Sequence, residues 1–138
     1  MASTNYERYL ETEILTLDPL KLVIVLYRAA IESVGAARRH VASGAIRERS
    51  RQIVKAWEIV GELRRSLDHQ QGAAISRSLA DLYTYMQTRL IEANTKQIDP
   101  PLAEVEGLLL TLLEGWLAVP SVRPLPTTPA YVPISCLS

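Results

Sequence analysis

Apolar residues recur at helical spacing in four runs along the chain, separated by short breaks. The first opens at Asp18-Pro19 and continues through LKLVIVLYRAAIESVGAARRHVA to about Ala42, with Gly44 as punctuation. Aspartate accepts from the exposed N–H groups of a first turn, and proline suits the first helical position, where no donor is needed. The second run extends from about Ile46 to Leu67, with Ile46, Ile53, Trp57, Val60, Leu63 and Leu67 as its apolar stripe. Gln70-Gln71-Gly72 breaks it. The third spans about Ala73 to Ala93, with Ile75, Leu79, Leu82, Met86, Leu90 and Ala93 inside and Asn94 as the expected helix end. Asp99-Pro100 repeats the cap-plus-proline device and starts a fourth run that reaches about Ala118. No stretch alternates with a period of two, so strands are not expected.

The two ends differ from this pattern. Residues 1–17 are partly charged, yet Tyr6, Tyr9, Leu10, Ile14 and Leu17 give them an apolar side. Pro120, Pro124, Pro126, Pro129 and Pro133 exclude a helix and favour an extended, exposed tail. Four helices of roughly twenty residues joined by short loops predict an all-α fold, an antiparallel up-down four-helix bundle. The expected organisation is an N-terminal arm at 1–17, the bundle at 18–118 and a proline-rich, disordered tail at 119–138.

Composition narrows the function classes. The 138 residues are 48% hydrophobic and 22% charged, with a formal net charge of zero. That balance fits one soluble domain and gives no whole-molecule attraction to nucleic acid or anionic membrane. The lone Cys136 cannot build a disulfide framework or a zinc site. MASTNYERYLETE lacks a basic region followed by an apolar one, so no signal peptide is expected. The longest apolar run, GLLLTLL at 107–113, is too short to span a bilayer. A cytosolic protein without stable membrane insertion is the expectation.

Catalytic chemistry finds little support. His40 and His69 stand on different segments, and neither belongs to the Glu-x-x-His pairing that di-metal bundles require. No glycine-rich phosphate loop or Ser, His and acid set is present. The reading is a non-enzyme without cofactor or metal. Arg38, Arg39, His40, Arg47, Arg49 and Arg51 cluster around the first break, but Glu48 interrupts them and no aromatic residue is interleaved to stack a base. A solvated loop with flanking helix ends accounts for this cluster, and no nucleic-acid partner is expected.

The apolar surface is more informative. Each helical residue advances about 100°. In the fourth run Val105, Leu108, Leu109, Leu112 and Trp116 share one stripe, whereas Leu110, Leu113 and Leu117 fall about 80–140° round from Val105, on a second. In the first run Ile24 and Ile31 sit nearly opposite Leu22 and Leu26. Either these extra stripes touch neighbouring helices or the arm, or they line a groove for a partner helix. Tyr6, Tyr9 and Leu10 on the arm could cover that groove until a partner displaces them. Self-association through the same stripes is the alternative, from a structural class of protein.

LYTYMQTRLIEAN, at 82–94, sharpens the reading. With Leu82, Met86, Leu90 and Ala93 as core positions, Tyr83 and Tyr85 diverge to either side and edge the core. Arg89 lies close to the core stripe and needs a partner if buried, for which Glu58, Glu62 and Asp68 are candidates.

This stretch resembles the third-helix signature of the FliS family, the flagellar export chaperones of flagellin. Tyr83, Tyr85, Met86, Arg89 and Asn94 carry that signature. DPLKLVIVLYRAAIESV is similar to the family's first-helix start, IVKAWEIVGELRRSLD to its second helix and LAEVEGLLLTLLEGW to its fourth, all in the family's order. The resemblance covers about residues 5 to 118. Asp18 stands where the family commonly has a hydroxyl cap, and Arg28-Ala29 where an acidic residue and glycine often follow the Leu-Tyr pair. The resemblance implies a chaperone that binds the C-terminal segment of flagellin, blocks premature polymerisation, keeps the subunit competent for type III export and works with the export gate. The residues expected to contact flagellin are Ile24, Ile31, Leu110, Leu113 and Leu117.

Overall fold

The structure, a computed structural model, describes residues 19–67 and 73–119. Within them are four helices and no strand: α1 (Pro19–Ser43), α2 (Ile46–Ser66), α3 (Ala73–Lys96) and α4 (Pro100–Ala118). Tyr6, Tyr9 and Leu10 of the arm, Asp18, the 70–72 break and the tail prolines lie outside the described residues.

The first break follows from glycine chemistry. Gly44 takes φ 75°, which costs a residue without Cβ nothing. Its N–H donates to the Val41 carbonyl at 3.3 Å, and the Ala45 N–H donates to the His40 carbonyl at 3.0 Å. This pair of bonds is a Schellman ending, and it satisfies carbonyls that the last turn leaves without intrahelical donors.

The expected end of α3 was one turn short. The helix runs through Asn94 to Lys96, and Gln97 makes the left-handed turn at φ 59°. The Ile98 N–H closes it on the Ala93 carbonyl at 3.2 Å. Asn94 is held within the helix because its side chain is engaged across the fold, as described below. Asp99 departs from expectation as well. It precedes Pro100, but its carboxylate makes no capping bond to the α4 backbone.

Each helix packs against the next in the chain, and α4 returns to α1. Tyr27 and Val34 of α1, Val60 and Leu63 of α2, Met86 and Leu90 of α3, and Leu102 and Leu109 of α4 fill the centre. Ala30 and Ala37 on α1 and Ala56 on α2 are fully buried among them.

The buried arcs are rotated from the sequence stripes by a fraction of a turn. On α2, Ile46 and Trp57 are exposed while Arg49 and Ala56 are buried. On α3, Tyr83 is fully buried and Leu82 only half so. Tyr83 therefore belongs to the core rather than its edge. With Met86 and Leu90 central, Tyr83 lies within about 60° of both, inside a buried face wider than 100°. On α4 the buried set is Pro101, Leu102, Val105, Leu109 and Leu113. Leu113, expected on the outer stripe, is a core residue. A helix with two neighbours buries a broad arc, and this one reaches about 80° from Val105.

Candidate functional site: exposed leucines and the polar seams around them

Rotation of α4 splits its outer row of leucines. Leu113 is 7% exposed, whereas Leu110 and Leu117 are 46% and 50% exposed. On α1, Ile24 and Ile31 are partly buried and pack against the core rather than pointing away from it. Of the five residues expected to meet a partner, two are therefore open, two border the core and one is inside it. No group of three or more His, Cys, Asp or Glu among the described residues is placed to hold a metal. No described helix is long and apolar enough to cross a membrane.

Polar contacts pin the register of three seams. Between α3 and α4, Arg89 Nε donates to Glu104 Oε1 at 2.6 Å and its Nη1 to Glu92 Oε1 at 2.6 Å. Tyr85 is exposed, and its hydroxyl donates to Glu104 Oε2 at 2.7 Å. Arg89 thus pairs with α4 and its own helix, not with the α2 acids that sequence suggested. Glu92, three residues on, was legible as a helical neighbour. Glu104 was not, because its proximity depends on how α4 returns.

These contacts hold Glu104 below the usual carboxylate range, first through the Tyr85 bond and then Arg89, and hold Glu92 there through Arg89 and Lys96. A carboxylate depressed in the folded state adds stability above its unfolded value, and that stability fades as pH falls through the folded value. Stability is therefore expected to drop on acidification below the ordinary glutamate value of about 4.3. Glu104→Gln is expected to flatten that acid-side decline in urea titrations repeated from neutral to acidic pH; an unchanged slope would count against the network.

Between α1 and α4, Arg38 grips Asp99 with Nε to Oδ1 at 2.8 Å and Nη2 to Oδ2 at 3.0 Å, and Glu106 Oε1 with Nη1 at 2.6 Å. This two-pronged geometry explains why the Asp99 carboxylate is withdrawn from capping. It also takes Arg38 out of the basic cluster. Arg49 leaves the cluster too: it is 5% exposed and reaches into the α2–α3 seam. Its Nε and Nη2 donate to Asn94 Oδ1 at 3.3 and 3.1 Å, and Ser50 Oγ shares the same acceptor at 2.8 Å. Farther along that seam, Gln87 Nε2 donates to the Trp57 carbonyl at 3.1 Å.

One bond crosses the centre. The hydroxyls of Tyr27 and Tyr83 lie 2.7 Å apart, and the rings meet edge to face with centroids 6.4 Å apart. Trp116 flanks Tyr27, also at 6.4 Å. Burial pushes both phenols up from their ordinary value.

These features define the class: an all-α protein whose exposed apolar groups lie in rows on helix faces. A family model described as flagellar protein FliS matches residues 1–122. The chain belongs to the FliS family. It is 36% identical over 107 residues to the flagellar secretion chaperone FliSB of Pseudomonas aeruginosa, covering 78% of this chain and 85% of the relative. It is 31% identical over 107 residues to the flagellar secretion chaperone FliS of Salmonella typhimurium, covering 77% and 79%. The Bacillus subtilis chaperone of the same name is 29% identical over 117 residues, covering 84% and 86%.

Proposed function

We propose that this protein is a cytosolic, non-enzymatic export chaperone that binds the C-terminal segment of flagellin, prevents its premature polymerisation and keeps it competent for flagellar type III export. The observation that carries this reading is the pair of open leucines, Leu110 and Leu117, on a helix of a chain in the FliS family. In the proposed architecture the helices form an antiparallel up-down bundle, residues 1–17 an arm, and 119–138 a proline-rich tail. Leu110 and Leu117 contact the flagellin segment, Ile24 and Ile31 border it, and Leu113 supports it from within. Tyr6, Tyr9 and Leu10 cover or border the groove, and the export gate is a second partner. A segment that folds on binding needs apolar surface to offset the entropy of its ordering.

Titration calorimetry of the full chain with a flagellin C-terminal peptide tests the assignment. The Leu110→Ser/Leu117→Ser variant is expected to keep its helical circular dichroism while losing more than about 2 kcal/mol of binding. Unchanged affinity would sink the assignment. Leu113→Ser is unsuitable for this purpose, because it damages the core. A concentration-independent oligomer that ignores the peptide, seen by sedimentation, would favour self-association instead.

A further inference from the structure

α1 and α4 are fastened to each other at two places. Arg38 bonds Asp99 and Glu106 near the start of α4, and Trp116 meets Tyr27 near its end. Tyr27 to Arg38 and Glu106 to Trp116 are nearly equal lengths of helix, about 15 Å at 1.5 Å per residue, so α4 runs back along α1 in step. That register decides where the outer apolar residues stand. Ile24 and Ile31 lie within about 40° of Arg38 on α1, and Leu110 and Leu117 within about 40° of Glu106 on α4. Because Arg38 Nη1 meets Glu106 Oε1, the two stripes adjoin along one seam. Leu117 follows Trp116 directly, and Ile24 precedes Tyr27 by less than one turn, so both stand at the Trp116 end of the seam.

The two fastenings differ in kind. The Arg38 end is held by charge, whereas the last turn of α4 carries no basic side chain. Of residues 114–118 only Trp116 is not exposed. A Cβ at Gly115 would meet nothing within 4 Å among the described residues. Leu113 packs one turn earlier, but apolar burial is non-directional and leaves rotation about the helix axis weakly specified. The indole supplies direction. Its N–H, a donor with no acceptor capacity, bonds the Tyr27 hydroxyl. Tyr27 is fully buried, and the same hydroxyl meets Tyr83 at 2.7 Å. One phenol oxygen thus ties the end of α4 to α1 and α3, in a setting where low dielectric strengthens the bond.

We propose that Trp116 is a positioning residue for the flagellin segment: through its bond to Tyr27 it sets the rotation of the last turn of α4 and so presents Leu117 on the α1 side, toward Ile24. The role rests on the flagellin reading of the open leucines. Removing one oxygen at a time tests it in the full chain. Tyr27→Phe and Tyr83→Phe both break the tyrosine pair, but only Tyr27→Phe also takes the acceptor from Trp116. Amide hydrogen exchange at Leu117 and Ala118 is expected to be at least fivefold faster in Tyr27→Phe than in Tyr83→Phe, with Leu102 to Leu109 alike in the two. The Trp116 indole N–H is expected to show the same fivefold difference. Calorimetry with a flagellin C-terminal peptide is expected to give at least threefold weaker binding in Tyr27→Phe, and binding within twofold of the parent in Tyr83→Phe. Equal exchange of the last turn in the two variants, or an acceleration spread evenly over α4, would overturn the role. So would an affinity that falls equally in both. A parent that ignores the peptide removes the flagellin reading itself, whereas a parent that binds and a Tyr27→Phe variant within twofold of it overturn only the role of Trp116.

Discussion

Tyr83→Ala is expected to cost about 3–5 kcal/mol of folding stability, measured by urea denaturation, the range for emptying a large aromatic from a core. Two losses combine. The ring leaves a cavity among Met86, Leu90 and Tyr27, and the Tyr27 hydroxyl loses one of its two buried partners, keeping the Trp116 indole. Tyr83→Phe isolates the second loss and is expected to cost about 1–2 kcal/mol. Tyr27→Phe/Tyr83→Phe is expected to cost less than the two single changes added together, because removing both hydroxyls orphans neither. Strict additivity in that cycle would show that the 2.7 Å contact contributes nothing as a pair. The same site fixes an alkaline limit. A phenol raised in the folded state contributes stability below its unfolded value of about 10, and that contribution is lost as pH climbs toward the folded value. The parent is therefore expected to weaken in alkali more steeply than the double phenylalanine variant.

Asn94→Ala is expected to cost about 3 kcal/mol, because it strips the shared acceptor from a guanidinium with almost no access to water. Ser50 loses its acceptor at the same stroke. Arg49→Met removes the charge and leaves a side chain of similar reach. Arg49→Met/Asn94→Leu is expected to be more stable than Asn94→Ala alone, since no buried charge remains to be satisfied. Denaturant midpoints decide the matter: if Asn94→Ala falls within about 0.5 kcal/mol of the parent, the residue is ordinary helix surface.

The two kinds of residue differ in how far sequence could reach them. Helix limits near Pro19, Gly44 and Pro100 were readable because each rests on local backbone chemistry. The end of α3 was misread for a reason outside its own segment: Asn94 looks like a terminator until Arg49, 45 residues away, is seen to occupy it. Asp99 repeats the lesson, since a good capping residue was claimed by Arg38 on another helix. Faces were harder than limits. α4 carries leucines on most of its circumference, so periodicity alone left Leu113 and Leu110 equivalent. Only the positions of α1 and α3 separate them. Arg89 found Glu104 for the same reason, through topology rather than spacing.

The Arg38 grip acts on only one end of α4. Asp99 and Glu106 fasten its opening turns to α1, with charge and hydrogen bonds together. Its closing turn has the ring of Trp116 against Tyr27 and otherwise exposed residues. The helix is a clasp riveted at one end and sprung at the other. Fraying is expected to start at the sprung end, where local opening breaks few contacts among the described residues. Leu117 sits there, so in the proposed chaperone the exposed leucine of the last turn meets the incoming segment while buried Leu102 and Val105 stay fixed.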